Sequence, residues 1–473
     1  MSKLLSPFFS KGRLNFALLI VFIVINGLVL VNATLHDPTI EYDASDHLTI
    51  IKYLARNAEW PTAAQTNEFF SPPLPYLLPA FVLRLHLVGA TGAAKFAQLI
   101  NVSLSLLLTF FLLKLCDQLD DDNTWLKFTA LALLGILPVY YRTFAFVRGE
   151  PYVATFAVLS IYQALRLFSA QKKLVHALIL GVELGLLILS RQWGFFLFPA
   201  IGILAALLAW KEKRFTLIGW TTVSFIVAFV LGGWFYLLLF RQYGTISAFN
   251  KTPAESFSFS NQPLTFYTGM GDGLLFRDPI RPAFANQLFP IFYADTWGDY
   301  WMYFTIYGRD TRTGELLSGV SLLNAAQSNP QPKWLVTNRF TVRTYQGSVN
   351  FIALLPTALL LAGLIAGLVD MLRLIGIHPQ TSSQTTRALL ALIVLFSFLG
   401  YAWFLIRYPS LDVGNTIKAT YLIQVFPLLA VLSAYLLKQM KQHWPYIERV
   451  VSIVLVIIFL YNLPAFVTHF IKQ

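Results

Sequence analysis

The chain reads as an all-α, polytopic membrane helical bundle. Composition is the first sign: 56% of its 473 residues are hydrophobic and only 12% are charged, where a soluble domain carries about a quarter. Length is the second, because the apolar runs fall close to the ~20 residues that cross a bilayer. Charge placement is the third. The net charge is +12, and the cations sit mostly at the ends of apolar runs, as in a protein oriented in an anionic membrane. That placement argues against nucleic acid as a partner and for membrane lipids.

Taken in order, the expected spans are 14–33, 95–115, 125–141, 150–168, 174–190, 194–210, 216–240, 351–374, 388–406, 418–437 and 450–467, about eleven in all. The first is read as a span and not a cleaved leader, since no small-residue cleavage site accompanies it. Residues 74–88 form an ambiguous twelfth. Laid in the interface instead of across it, they leave Lys3, Lys11, Arg13, Lys114, Arg166, Lys172, Lys173, Lys211, Lys213, Arg214, Arg373, Lys438, Lys441 and Arg449 on one side, the cytoplasmic one. The loop of Asp43, the link 142–149, the turn Arg191-Gln192, the insertion 241–350 and the link 407–417 then share the other face. The expected division is 1–240, a transmembrane catalytic module with its first outer loop at 34–94; 241–350, a non-cytoplasmic cap; and 351–473, the C-terminal spans. The single Cys116 excludes an internal disulfide and a cysteine-based metal site.

The insertion is far longer than a connector requires and rich in aromatics, as in PIFYADTWGDYWMYFTIYG. This suits a cap whose Trp and Tyr residues lie at headgroup level or stack on a sugar ring. A lid with no substrate contact fits as well. No internal repeat is present, and no pair of broken helices of the kind that marks transporters.

The stretch 41–76 gathers the most chemistry. If it is helical from Asp43, the spacings i, i+3 and i+4 put Asp43, Asp46 and His47 on one face. Two carboxylates there can share a proton, bind a cation or activate a hydroxyl. The competing readings are a helix N-cap for Asp43 and a hydrogen-bonded interface residue for His47. Arg148-Gly149-Glu150-Pro151 offers a second carboxylate in Glu150, or else a plain surface ion pair. Arg191, Arg407 and Lys418 run against the positive-inside tendency. They are candidates for a lipid phosphate, Lys418 with Tyr421 close by first and Arg191 second, against simple snorkelling to headgroups. No phosphate-cradling glycine loop, HExxH or GxSxG occurs.

These motifs, in this order, resemble those of the polytopic C-type glycosyltransferases, specifically the protein O-mannosyltransferase-like group of bacterial membrane enzymes. Three features carry the resemblance: Asp43-Ala44-Ser45-Asp46-His47 after the first span; Ser71-Pro72-Pro73-Leu74-Pro75-Tyr76; and Arg148-Gly149-Glu150-Pro151 together with Ile417-Lys418-Ala419-Thr420-Tyr421 and Pro427. The first half of the chain matches best, and the insertion and last spans match in layout only. The resemblance implies a C-type helical bundle and a sugar donor carried on polyprenyl phosphate. It also implies a lipid, glycan or protein acceptor, glycosylated at the outer face of a bacterial plasma membrane. Asp43 is then the general base, Glu150 positions substrate or a cation, and Arg191 and Lys418 hold the donor phosphate. Asp46, His47, Arg148 and Tyr421 join them as substrate-binding candidates, and a divalent cation, Mg or Mn, is a candidate cofactor. Ala44 stands where many members of the group have a second acid, a departure that leaves open whether Asp46 replaces it. The alternative is a glycolipid transporter or flippase without transferase chemistry. It is disfavoured by the scarcity of mid-span charges, of which Glu183 is the main one. A third reading is a non-catalytic membrane subunit.

Overall fold

The computed structural model describes residues 13–169, 173–328, 332–376 and 381–471; the expectations for Lys3, Lys11 and Lys172 lie outside them. Among the described residues, 8 helices are long and apolar enough to cross a membrane, or 9 if one bent pair counts as a span. The protein is a multi-pass membrane protein. Every one of the expected runs is mainly helical, but the count by length is lower than expected for physical reasons. Lys173–Ile188 has 16 residues, and Val425–His443 carries Lys438, Lys441 and His443 in its last turns. The run 125–141 is two helices, Thr124–Gly135 and Pro138–Ala145, bent by 67°. Pro138 has no N–H to continue the first helix. The Tyr141 hydroxyl donates to the Gly135 carbonyl at the break, 2.7 Å away, so that the backbone is satisfied inside the bundle.

Close helix packing uses small residues, as membrane bundles require. A Cβ on Gly232 of Thr216–Tyr243 would lie 2.8 Å from the carbonyl oxygen of Gly185 on Lys173–Ile188. The first and last helices are clasped by Asn32, which donates to the Phe466 carbonyl at 2.7 Å and accepts from the Thr468 N–H at 2.9 Å.

The insertion contains the short helices Leu264–Thr268, Leu288–Trp297 and Gly319–Gln327. It also holds a small antiparallel sheet with Gly308–Asp310 between Leu316–Leu317 and Leu335–Thr337. Trp297, Tyr300 and Trp301 are fully buried. Much of the aromatic run therefore packs inward, not at headgroup level. Asp299 folds the turn after it by accepting four consecutive backbone N–H groups, those of Tyr303 to Ile306.

The charges sort to two ends of the bundle. At one end Lys127 pairs with Asp117 at 2.5 Å and Lys438 with Asp120 at 2.7 Å. Arg214 reaches the Phe168 carbonyl there, and Lys211 that of Leu374. At the other end lie the helix starts and links that bear Asp43, Arg148, Arg191 and Lys418.

Candidate active site

Asp43 occupies the N-cap position of helix Ala44–Asn57, yet its side chain makes no capping bond. Its backbone is left-handed, φ 57° and ψ 27°, a conformation that aspartate tolerates better than most residues. This corrects the expected common face. Residue 43 is not helical, so the i, i+3, i+4 relation does not hold and the three side chains part. Asp43 turns toward a cavity. Asp46 turns to the loop that follows, accepting from the Asn67 N–H at 2.9 Å and the Thr66 hydroxyl at 3.1 Å. His47 turns inward, with Nδ1 2.7 Å from the Tyr76 hydroxyl and Nε2 buried without a hydrogen-bond partner. Burial, helped by the positive charge of Arg148, lowers its pKa, so the ring is neutral.

Lys418, some 370 residues further on in the chain (418 against 43), meets Asp43: Nζ donates to Oδ2 at 3.3 Å. The ammonium also lies 4.5 Å from the centre of the Tyr42 ring and 5.6 Å from that of Tyr421. The same two rings face Arg148 at 5.4 and 5.8 Å. The Lys418 ammonium holds the Asp43 carboxyl well below the usual carboxylate range.

Behind the rings runs a ladder of buried charges. Arg148 donates to both oxygens of Glu150, at 2.7 and 3.1 Å. Arg191 donates to Glu150 at 3.0 Å and to Glu68 at 3.1 Å. Ser71 closes the end, donating to Glu68 and accepting from Arg191. Two features of sequence bring these loops together. Leu74, at the start of the helix that the tandem prolines open, donates its N–H to the Leu189 carbonyl at 3.0 Å. Gly149 lets the backbones touch, since a Cβ there would lie 2.1 Å from the Ser190 carbonyl oxygen.

A cavity of ≈ 190 Å³ is lined by Asp43, Lys418, Tyr42 and Tyr421, and also by Glu68, Lys251, Arg281, Trp301 and Tyr303. Beside it, sharing Phe249, is an apolar groove walled by Trp193, Phe196, Trp403 and Phe404. Lys251 and Arg407 line a third hollow between the two. Of the expected site residues, Asp43, Lys418 and Tyr421 reach the cavity. Arg148, Glu150 and Arg191 stand behind its wall, and Asp46 and His47 serve the first loop.

Sequence reasoning missed Glu68, Lys251, Arg281, Tyr42, Trp301 and Tyr303. Glu68 had a signal, an acid just before Ser71-Pro72-Pro73; the others lie in loops whose path follows from tertiary contacts. It also missed Asp295, which ties the insertion to the site. Asp295 pairs with Arg142 at 2.7 Å, accepts from the Ala419 N–H at 2.6 Å and from the Tyr42 hydroxyl at 3.2 Å. Glu41 is buried too. One of its oxygens accepts from the Val147 N–H at 2.9 Å and the other has no partner. Burial pushes its pKa up to about 8.

As they are paired, these acids do not form a divalent-cation site. Such an ion takes several oxygen ligands at once, but both oxygens of Glu150 face guanidinium groups, and Asp43 faces an ammonium. Among the described residues, three acids bring ligand atoms within 4.8 Å of one another only at Asp117, Asp121 and Asp122, at the opposite end.

Neither a protein-family model nor a curated protein sequence matches the chain. Among solved structures it is similar to the oligosaccharyltransferase of Archaeoglobus fulgidus in its complex with Zn and sulfate, with a TM-score of 0.52 at 12% identity. That match covers 96% of this chain and 53% of the archaeal one. The chain thus spans about half the length of its neighbour. The all-α membrane bundle that the sequence predicts is thus a fold shared with this oligosaccharyltransferase. ArnT from Cupriavidus metallidurans in the apo state is matched at a TM-score of 0.37 and 12% identity, over 88% of this chain and 76% of that one.

Proposed function

We propose that the chain is a membrane glycosyltransferase that moves a sugar from a polyprenyl-phosphate donor to an acceptor hydroxyl, with Asp43 as general base. The observation that carries this reading is the meeting of Asp43 and Lys418 on the wall of one cavity, beside an apolar groove. Transfer from a lipid phosphate needs an acid that can take a proton and cations that can hold the departing phosphate. The bond from the anomeric carbon to the phosphate oxygen breaks, and its electron pair leaves with the polyprenyl phosphate. The acceptor oxygen bonds to that carbon, and its proton passes to Asp43. Lys418, Lys251 and Arg281 steady the leaving phosphate, while Trp301 and Tyr303 offer ring faces to the sugar. The isoprenoid tail lies in the groove of Trp403 and Phe404.

Glu150 is in this reading a positioning residue. It holds Arg148 and Arg191, and through Arg148 it steadies the rings beneath Lys418. Arg191 likewise shapes the wall instead of touching the phosphate. Both transmembrane parts, 1–240 and 351–473, and the insertion 241–350 contribute to the site. The cation-rich opposite end supports an active site at the outer face of a bacterial plasma membrane. The acceptor is a lipid, glycan or protein hydroxyl. By its name the fold neighbour catalyses the same class of reaction.

The test is transfer by purified protein from polyprenyl-phosphate sugars, read by mass spectrometry of the acceptor. A new glycosidic bond that Asp43→Asn abolishes is the expected result. Movement of the glycolipid across a vesicle with no new bond would instead establish a transporter. Cysteine labelling at positions 43 and 213 should report opposite sides of the membrane; labelling from one side would overturn the assigned sidedness.

A further inference from the structure

We propose that Lys418 serves two anions in turn: it holds Asp43 before the donor binds and passes to the donor's phosphodiester, and this handover frees Asp43 to act as base. The last clause rests on the transferase reading; the handover itself does not.

Four observations carry it. First, the Asp43–Lys418 contact is a single one at 3.3 Å, and the Asp43 side chain is 41% exposed against 11% for Lys418. The contact is single and open to the cavity on the Asp43 side, so a second anion can reach the ammonium. Second, the ammonium does not need Asp43 to stay where it is. The Tyr42 and Tyr421 rings hold it at the wall, at 4.5 and 5.6 Å, by an attraction that a new anion leaves in place. Third, the other acid on the wall, Glu68, is already bonded to Arg191 and Ser71, so an incoming phosphate displaces no partner of Glu68. Fourth, Lys251 and Arg281 line the same cavity, giving the phosphate further cations once it has taken Lys418.

The chemical consequence is a base that is switched on by its donor. Beside Lys418 the Asp43 carboxylate is a poor proton acceptor, because the ammonium keeps its pKa down. With Lys418 turned to phosphate, that restraint is divided between two anions, and the acid's affinity for a proton rises toward its ordinary value. Deprotonation of the acceptor then follows donor binding and does not precede it.

A binding cycle tests this on the full-length protein in detergent or nanodiscs, with undecaprenyl phosphate, which bears no sugar, as the probe. Asp43→Asn removes the competitor and should tighten binding about tenfold, and Lys418→Gln should weaken it by about tenfold or more. In the Lys418→Gln background, Asp43→Asn should change binding by less than about twofold. Equal tightening in both backgrounds would mean general repulsion of the phosphate by Asp43, and unchanged or weaker binding in Asp43→Asn would mean no competition; either overturns the handover. Lys418→Arg, which keeps the cation, should bind like the parent and retain the Asp43→Asn effect, and its failure to do so counts against the proposal. Repeating the cycle with inorganic phosphate tells a lipid-borne phosphate from a soluble one: coupling with undecaprenyl phosphate alone marks the lipid, and coupling with both marks the phosphate group itself. Because no sugar is involved, the cycle can hold while transfer fails, or fail while transfer holds, and the two readings are judged apart.

Discussion

Two sets of ion pairs face each other across the rings of Tyr42 and Tyr421, and they obey different physics. The ladder Glu68–Arg191–Glu150–Arg148 is sealed, its side chains only 0 to 4% exposed. The pair Asp43–Lys418 is open to the cavity, with 41% of the Asp43 side chain exposed. In the sealed set, charges taken out of water depend wholly on one another, and removal of one leaves its partner stranded. In the open set water reaches Asp43, the contact is a single one, and Lys418 can turn to another anion that enters the cavity. The contrast assigns the ladder to structure and the pair to chemistry, although both join a carboxylate to a cation.

That contrast can be broken at several points. Asp43→Asn is expected to lower the transfer rate by about 10²- to 10⁴-fold, the usual worth of a general base. Its unfolding free energy in detergent should fall by less than that of Arg191→Met, because water reaches the Asp43 side of the pair. Arg191→Met should do the reverse in kind: about 3–5 kcal/mol of stability is lost, because Glu68 loses its cation and Glu150 keeps only one. Thermal or denaturant unfolding measures it, and a variant as stable as the parent would remove the distinction between the two sets.

A subtler test uses Glu41, whose carboxyl is raised from 4.5 to about 8 by burial. The folded chain keeps this proton longer than the unfolded chain does. Its contribution is therefore full below pH 4.5 and falls as the pH rises to about 8. Glu41→Gln should flatten the loss of melting temperature across that interval relative to the parent; parallel curves would place the titration elsewhere. The smallest effect is expected at Asp46. Asp46→Ala removes the acceptor for Asn67 and Thr66 and should cost roughly 1 kcal/mol, with transfer retained if its role is confined to the first loop.

Much of this was legible before any coordinates. Apolar runs edged by cations announce the spans, and spans fix which links share an end of the bundle. That alone brought Asp43, Glu150, Arg191 and Lys418 into one neighbourhood despite their separation in the chain. What sequence could not supply was the orientation of each group within it. The left-handed backbone at Asp43 undid the helical spacing that had joined it to Asp46 and His47. Burial decided that Arg191 would serve Glu68 and Glu150 and not the cavity. Lys251, Arg281 and Asp295 come from an insertion with no periodic pattern, so their positions follow only from its folded path. The break before Pro138, by contrast, has a readable cause in the missing N–H, although the run stays apolar through it.

The conformation of residue 43 also dictates how its chemistry can be dissected. At φ 57° an alanine would bring a backbone penalty of roughly 1–2 kcal/mol along with the missing carboxylate. Alanine scanning would therefore mix folding with function at the one position where they most need separating. Asparagine, which accepts that geometry and keeps the shape of the side chain, isolates the charge; glycine isolates the backbone.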